Sequence, residues 1–490
     1  MMHFNMRAFD SYRENNCLEV KKAGGGLPNS LWETYSSFCN TNGGVILLGV
    51  AERDDGSFAA TGLKDVDKLR KDFWNTINNG SKVSINILTD DDLVSFDLDG
   101  DTVLAINVPR AKRQDRPVYL NGDLFGGAYR RNHEGDYRCS KSEILAMVRD
   151  QTEDTSDMKL LDDMEISDLN PETIHMYRNR HTAYRSEHVW DNLSDEDYLE
   201  MLGAARVSKT DGRLHPTAAG LLMFGKEYKI LYEFPEYFLD YRELLDPSIR
   251  WTDRIQSSSG EWSGNLFDFY FRVYPKLVRD LKVPFKLEGI TRIDETPVHK
   301  ALREALANCL VNTDFFIPRG VVIRKDNECI ILENPGSIRT GKNQMLRGGI
   351  SDPRNKTLMK MFNLIGIGER AGSGVPDIFS VWKNEGWPDP VVEEQYGPDR
   401  TLLKLVYNYQ EDVQTTQKTT QKTTQKTTQK TTKKKLLALV KADPYISQAE
   451  LASKLNVSFD GVKYHIKQLR KDGVLKRIGG DKGGHWKINE

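Results

Sequence analysis

The alternation of apolar and polar positions predicts a strand, a helix and a second strand near the N-terminus. Residues 14–21 alternate with the period of a β-strand. Residues 30–39 have a helical pattern, residues 40–44 form a turn rich in asparagine and glycine, and the apolar run 45–50 is typical of a buried strand. The pattern therefore predicts an α+β unit at this end of the chain.

The middle of the chain also mixes helices and strands. Helical spacing covers residues 171–181 and 195–203, and an apolar segment follows at Ala218–Phe224. Residues 303–314 form a further predicted helix, and two short strands are expected to pair shortly after it. Together these segments indicate a multidomain α+β fold.

The C-terminal residues 436–490 predict three short helices followed by a hairpin. Ser447 and Glu450 have the spacing of a capping box at the start of the second helix. The third helix is predicted to begin at Ser458 and to end at Gly473. Its apolar residues have helical spacing and share one face: Phe459, Val462, Ile466 and Leu469.

A four-residue repeat of Gln-Lys-Thr-Thr separates this segment from the rest of the chain. Residues 414–432 contain no apolar side chain, so their burial cannot offset the entropy lost on ordering. We predict a disordered, extended linker. The predicted domains are a first at 1–150, a mixed α+β region at 151–297, a third at 298–410, the linker at 411–435 and the last at 436–490.

Composition narrows the class of protein. A length of 490 residues with 38% hydrophobic and 29% charged residues predicts three or four folded domains and excludes a wholly disordered chain. No apolar run is long enough to span a bilayer, the N-terminus lacks a leader pattern, and the five cysteines form no CxxC pair. We therefore expect a cytoplasmic protein with reduced thiols and no membrane contact.

Charge is distributed unevenly along the chain. Residues 414–490 hold 17 basic and 6 acidic side chains, a charge of +11, whereas the preceding 413 residues carry a charge of −13. A basic tail on an acidic body is typical of a nucleic-acid-binding appendage. The alternative is a solvated tail that only promotes solubility, and composition does not separate the two.

The order of elements in residues 436–490 resembles a winged helix-turn-helix. This resemblance implies that the third helix enters the major groove and that the hairpin contacts the backbone. The candidates for base contacts are Tyr464, His465 and Gln468, and the candidates for phosphate contacts are Lys463, Lys467, Lys476, Arg477 and Lys482. The alternative is a winged helix that binds protein.

The N-terminal region resembles the Schlafen-type AlbA domain. The shared features are the Glu-x-Lys strand at Glu19 and Lys21, the "N-T-x-G-G" turn and a strand that ends in Gly-Val. The resemblance implies nucleic-acid binding. It also implies that Glu14, Glu19 and Glu52 occupy the positions at which some relatives cut RNA with divalent metal, Mg²⁺ or Mn²⁺. The alternative is that Glu19 pairs with Lys21 and stabilises the sheet.

Residues 303–308 read Arg-Glu-Ala-Leu-Ala-Asn, residues 334–336 read Asn-Pro-Gly, and residues 366–374 contain Gly-x-Gly. With these motifs, residues 298–405 resemble the RecG-like C-terminal domain, a divergent member of the GHKL ATPases with an α/β sandwich. The resemblance implies that Glu304 positions a water and that Asn308 holds Mg²⁺ with ATP. The remaining nucleotide-binding candidates are Asp314, Asn334, Gly336, Gly372 and Gly374. The family's adenine-reading Asp-x-Gly-x-Gly is absent, and Glu333-Asn334-Pro335-Gly336 stands in its place.

The segment 336–343 nearly matches a P-loop. Asn343 lacks the hydroxyl that would bind Mg²⁺, and we predict no helix at Lys342, so we interpret the match as coincidence and expect no helicase motor.

These patterns together predict a prokaryotic nucleic-acid-binding transcriptional regulator with an ATP-sensing domain. The alternative is a metal-dependent Schlafen-like endonuclease that acts on RNA or single-stranded nucleic acid as a defence or stress effector. We expect DNA as the partner, RNA as a second candidate, and a homo-oligomeric assembly. Weak ATPase activity or nuclease activity is compatible with either prediction.

Overall fold

The computed structural model describes two compact units, Met1–Asn408 and Tyr409–Glu490. The described residues of the first unit are 17–98, 100–279, 281, 286–288, 291–293, 296–368, 372 and 374–407. Those of the second unit are 436, 437, 439–441, 443–455, 462, 466, 469, 475–478 and 485–488. None of the helices in these ranges is long and apolar enough to cross a membrane.

The first part of the chain forms a four-stranded sheet covered by helices. Its elements are β1 (Leu18–Lys21), α1 (Ser30–Asn40), β2 (Gly44–Leu48), β3 (Val50–Glu52), β4 (Phe58–Ala60), α2 (Val66–Ile77), β5 (Leu93–Leu98), β6 (Asp101–Val108), β7 (Tyr129–Asn132), β8 (Gly135–Arg138) and α3 (Lys141–Gln151). The sheet order is β1-β2-β6-β5, with β1 and β2 parallel. Apolar residues of α1, α2 and the sheet, such as Phe38, Phe73 and Ile46, share one core.

The predicted strand at residues 45–50 is interrupted at Gly49. This residue has φ +85°, and β3 leaves the sheet beyond it to pair with β4. A side chain at Gly49 would meet Leu63 at 2.9 Å, so glycine suits both the conformation and the space. The prediction of one continuous strand was wrong, because a run of apolar residues does not indicate where a strand ends and the next begins.

The remaining part of the first unit is built on a six-stranded sheet. The elements that precede residue 297 are α4 (Pro171–Tyr184), α5 (Asp195–Leu202), β9 (Ala205–Val207), β10 (Leu214–Pro216), α6 (Ala218–Phe224), α7 (Glu227–Glu233), β11 (Leu239–Leu244), β12 (Asp253–Gln256), α8 (Leu266–Val278), β13 (Lys286–Glu288) and β14 (Thr291–Ile293). Those that follow are α9 (Pro297–Val311), β15 (Val321–Asp326), β16 (Cys329–Pro335), α10 (Lys342–Arg347), α11 (Lys356–Leu364), α12 (Gly374–Asn384), β17 (Val391–Gln395) and β18 (Arg400–Val406).

The six-stranded sheet has the order β12-β11-β15-β16-β18-β17. Strands β11 and β12 therefore belong to the same sheet as β15–β18, and the boundary predicted near residue 297 separates strands of one sheet. Helices α8 and α9 pack against this sheet through a single large apolar core. The mixed α+β fold class is confirmed.

Helix α9 differs from its predicted bounds of 303–314. It begins at Pro297, where Thr296 caps the helix by accepting a hydrogen bond from the His299 N–H, and it ends at Val311. Proline at the first position suits a helix start. The Asn312 N–H donates back to the Asn308 carbonyl, and Asp314 lies beyond the helix.

The second unit has a small apolar core of its own. Its described elements include the helix Gln448–Leu455, β19 (Leu475–Ile478) and β20 (His485–Ile488). The predicted capping box is confirmed, because the Ser447 hydroxyl and the Glu450 carboxylate each accept a backbone N–H from the other residue. The core residues are Leu436, Val440, Ile446, Leu451, Val462, Ile466, Leu469, Leu475 and Trp486.

Candidate functional site

The Glu19 carboxylate on β1 is held by two cations. Lys21 Nζ lies 2.8 Å from Glu19 Oε1, and Arg131 Nη2 lies 2.7 Å from Glu19 Oε2. Both carboxylate oxygens therefore accept hydrogen bonds from charged donors. Glu52 is exposed at the end of β3, and Glu14 lies outside the described residues.

The described residues contain no group of three or more histidine, cysteine or acidic side chains arranged to hold a metal. The predicted cluster includes Glu14, so the metal-dependent nuclease stays a prediction. What the structure does show is the pairing of Glu19 with Lys21 that the alternative interpretation requires.

Arg131 is the second cation that binds Glu19, and its role was not predicted. Its side chain is only 1% exposed and also binds Asp136 at 3.0 Å. The guanidinium lies over the Phe38 ring of α1 at 5.3 Å. Arg131 thus joins β1 and the β7–β8 hairpin to the core of the domain.

The first asparagine of the "N-T-x-G-G" turn, Asn40, bonds to the backbone of two other segments. It is fully buried, and its Nδ2 donates to the carbonyls of Val118 at 2.8 Å and Tyr129 at 3.0 Å. Its Oδ1 accepts the Val118 N–H at 2.8 Å. Asn40 therefore satisfies backbone groups of two separate segments, one at Val118 and one at the start of β7.

Replacing Asn40 with alanine should destabilise the first unit by about 2–4 kcal/mol, because three buried backbone groups lose their partner. Thermal or urea unfolding of the full chain measures the loss. Asn42→Ala is the matched control, since Asn42 is exposed in the same turn. Equal stability of the two variants would contradict this role of Asn40.

A cavity of about 150 Å³ lies between α9, α12 and the sheet. The structure brings five of the predicted nucleotide-binding and ATPase residues to its wall: Glu304, Asn308, Asn334, Gly372 and Gly374. Apolar residues form much of the remaining wall, including Leu332, Met359, Val392 and Leu403. Further polar residues of the lining include Ser337, Arg339, Thr340 and Asp352.

The Glu304 carboxylate on the cavity wall is positioned by its neighbours. Asn308 Nδ2 donates to Glu304 Oε1 at 2.9 Å, as expected for residues one turn apart on α9. A β-carbon on Gly374 would lie 2.1 Å from Glu304 Oε1, so glycine allows α12 to approach the carboxylate. Asn334 donates to the Pro335 carbonyl at 3.2 Å, which fixes its amide against the backbone.

Two other predicted nucleotide-binding residues do not line this cavity. Asp314 is buried beside it and binds Arg149 Nη2 at 2.8 Å. The Gly336 N–H donates to the Asp399 carbonyl at 2.8 Å, so it is not available to a phosphate. Both residues serve internal contacts in this structure.

The P-loop-like segment does include a helix at Lys342, contrary to the prediction. Helix α10 begins there because Gly341, with φ +80°, turns the chain. The loop before it is nevertheless unlike a phosphate cradle, since the Ile338 N–H donates to Glu394 Oε1 at 2.8 Å and the Gly341 N–H to the Ile338 carbonyl at 3.0 Å.

The hairpin of the second unit presents two lysines side by side. Lys476 on β19 is directly opposite Lys487 on β20, and both are exposed. Like charges at opposed positions repel, and an anionic partner removes that repulsion. Arg477 lies next in β19, while the predicted contacts Lys463, Tyr464, His465, Lys467, Gln468 and Lys482 lie outside the described residues.

Four family models match the chain. Residues 14–140 match "Schlafen, AlbA_2", residues 320–399 match "Putative ATP-dependent DNA helicase recG C-terminal", and residues 429–476 match "Winged helix-turn-helix DNA-binding". The chain contains a Schlafen AlbA_2 domain, a recG C-terminal-like domain and a winged helix. Residues 145–240 match a domain of unknown function.

No curated protein gives a match. The solved structures that are similar to the chain include the following two. The DIP2311 protein from Corynebacterium diphtheriae is 18% identical, with 97% of this chain and 92% of that chain covered and a TM-score of 0.41. The N-terminal domain of a "Putative ATP-dependent DNA Helicase RecG-related Protein" from Nitrosomonas europaea is 27% identical, with 27% and 90% covered and a TM-score of 0.21.

The AlbA_2 domain contacts the recG-like domain through buried ion pairs. Arg110 binds Glu394 at 3.0 Å, and its Nη2 also donates to the Ile338 carbonyl at 3.0 Å. Arg130 binds Asp399, and Arg130 also lies over the Tyr396 ring at 4.1 Å. These contacts attach the AlbA_2 domain to the loop and strands beside the cavity.

Proposed function

We propose that this protein is a transcriptional regulator in which the winged helix binds duplex DNA and the recG-like domain senses a nucleotide. The observation that carries the DNA-binding part is the exposed Lys476–Lys487 pair on the hairpin of a domain that matches a DNA-binding family. A hairpin that contacts phosphates needs such cations at its surface.

The AlbA_2 domain supplies a second nucleic-acid-binding surface in this proposal, with RNA as a further candidate. A homo-oligomer would place several winged helices on one DNA and raise the overall affinity without a new contact. The linker sequence 414–432 supports this arrangement because its composition favours an extended tether.

Some of the residues that line the cavity suit a nucleotide bound with Mg²⁺. The amide oxygen of Asn308 is a hard oxygen ligand of the kind that Mg²⁺ prefers, and the apolar wall suits a base. When bound, ATP would supply a phosphoanhydride bond. Glu304 would orient a water toward it, and Asn308 already holds the Glu304 carboxylate in place.

Asn308→Ala should weaken nucleotide binding about tenfold, because it removes an oxygen ligand and releases Glu304. Glu304→Ala should preserve binding and abolish any turnover, since only the water needs the carboxylate. Calorimetry and phosphate release measure the two effects. Asn343→Ala is the control, because Asn343 is exposed on α10. A loss with Asn343→Ala instead would favour the P-loop interpretation.

One experiment separates regulation from cleavage. Purified protein is incubated with labelled duplex DNA, single-stranded DNA and tRNA, each with Mn²⁺ or with EDTA. The proposal predicts complexes with duplex DNA in both conditions and intact nucleic acid throughout. Cleavage that requires Mn²⁺ and is lost in Glu19→Gln would establish the nuclease alternative.

A further inference from the structure

Arg339 is a buried cation on the cavity wall that lacks a close carboxylate. Its side chain is 4% exposed, and Nη1 donates to the Pro353 carbonyl at 2.9 Å. The nearest carboxylate oxygens to its Nε are Asp352 Oδ2 at 3.6 Å and Asp150 Oδ1 at 3.9 Å. Within the described residues, Nε has no hydrogen-bond acceptor.

The neighbouring carboxylates are already engaged by other arginines. Arg113 Nε lies 2.7 Å from Asp352 Oδ2. Arg354 donates to Asp150, and Arg149 lies 2.8 Å from Asp314. Each of the three aspartates therefore has its own arginine partner. Arg339 is the fourth arginine of this group, and these pairings leave no aspartate for it alone.

A second buried arginine adds to this excess of positive charge. Arg116 is 3% exposed and has no ion pair in the described part of the chain, and its Nε also lacks an acceptor. Burial, followed by repulsion from Arg110, lowers the pKa of Arg116 to about 9. Burial likewise lowers the pKa of Arg339, although Asp150 and Asp352 oppose the change. Uncompensated buried cations are costly unless an anion binds.

We propose that Arg339 binds an oxyanion, the phosphate group of a ligand whose apolar or aromatic part fills the rest of the cavity. This inference rests on the proposed nucleotide-binding function and assigns the phosphate end of that site. The planar guanidinium suits phosphate oxygens, and Ser337 and Thr340, close to Arg339 in the chain, also line the cavity. Asp352 also lines it, but its charge is compensated by Arg113.

The test is calorimetry on the full chain with three probes: inorganic pyrophosphate, adenosine and ADP. Pyrophosphate and ADP should bind the wild type, and Arg339→Gln should weaken both by about ten- to a hundredfold. Adenosine affinity should not change. Lys342→Gln is the matched control, because it removes an exposed cation three residues away that does not line the cavity.

The outcomes distinguish this inference from the proposed function. ADP affinity that survives Arg339→Gln overturns the phosphate assignment and leaves nucleotide binding intact. If pyrophosphate binding depends on Arg339 but ADP binds no more tightly than pyrophosphate, the anion site is supported and the proposed nucleotide binding is contradicted. No heat with any probe overturns both.

Asp352→Asn provides a second route if Arg339→Gln does not fold. Removing the carboxylate nearest to the Arg339 Nε leaves that cation with less internal compensation, so pyrophosphate affinity should rise about threefold or more. Unchanged or weaker pyrophosphate binding by a folded Asp352→Asn protein would overturn the assignment.

Discussion

Replacing Arg131 with leucine should destabilise the AlbA_2 domain by about 3–5 kcal/mol, because the substitution removes one partner of buried ion pairs. Glu19 and Asp136 would each lose a charged donor at 2.7 and 3.0 Å. Their side chains are only 13% and 12% exposed, so water cannot fully replace the guanidinium. Chemical denaturation of the full chain, followed by a signal from the first unit, measures the loss.

Arg138→Leu is the control for this prediction. Arg138 lies on the neighbouring strand β8 and is exposed, so its replacement should change stability by no more than about 0.5 kcal/mol. Similar losses for the two variants would mean that charge in the hairpin, and not the buried pairing, stabilises the domain. Stabilisation of Arg131→Leu alone by Mn²⁺ would show that the freed carboxylates can take a metal.

Arg354→Ala should cost a similar amount, about 3–5 kcal/mol at neutral pH, at the contact between α3 and the recG-like domain. Arg354 donates to the Asp150 carboxylate and, through Nη2, to the Ser337 carbonyl at 2.9 Å. Both Arg354 and Asp150 are buried. The variant would leave Asp150 without its closest cation. Thermal unfolding of the full chain measures the effect, and Arg347→Ala on the surface of α10 is the control.

This prediction has a defined pH dependence. Burial raises the pKa of Asp150, but Arg354 and then Arg339 and Arg116 outweigh burial, and the net pKa is lowered. A lowered folded-state pKa gives stability that is present above the unfolded pKa of about 4 and is lost as the pH falls through the folded value. In Arg354→Ala, protonation of Asp150 relieves the buried charge, so the difference from the wild type should shrink toward pH 4. A difference that grows on acidification would contradict the account.

Much of the local structure follows from the sequence because it depends on neighbouring residues. The capping box at Ser447 and Glu450 was predicted with its observed position, and the apolar segment Ala218–Phe224 coincides with helix α6. Five residues of the cavity were identified through a family resemblance, which carries spatial information that periodicity lacks. Capping and helical spacing act over one turn, so a single sequence is sufficient to reveal them.

The contacts that join the domains were not predictable in this way. Arg130 and Asp399 are 269 positions apart, and the pairing depends on how two domains meet. The continuation of one sheet across residue 297 has the same cause, since β11 pairs with β15 as well as with β12 of its own region. Asp314 was predicted as the last residue of a helix in the nucleotide-binding region, but it lies beyond α9, where it is buried and pairs with Arg149.

The central claim is tested most directly by the salt dependence of duplex DNA binding by the compact unit Tyr409–Glu490. Affinity should fall steeply with salt, and each phosphate contact removed should reduce the log–log slope by about 0.9. Lys476→Ala with Lys487→Ala, and Lys463→Ala with Lys467→Ala, should each reduce it by about 1.8. Lys454→Ala, on the surface of the helix Gln448–Leu455, should leave the slope unchanged. Absence of binding at low salt, or equal slopes for all variants, would contradict a DNA-binding role.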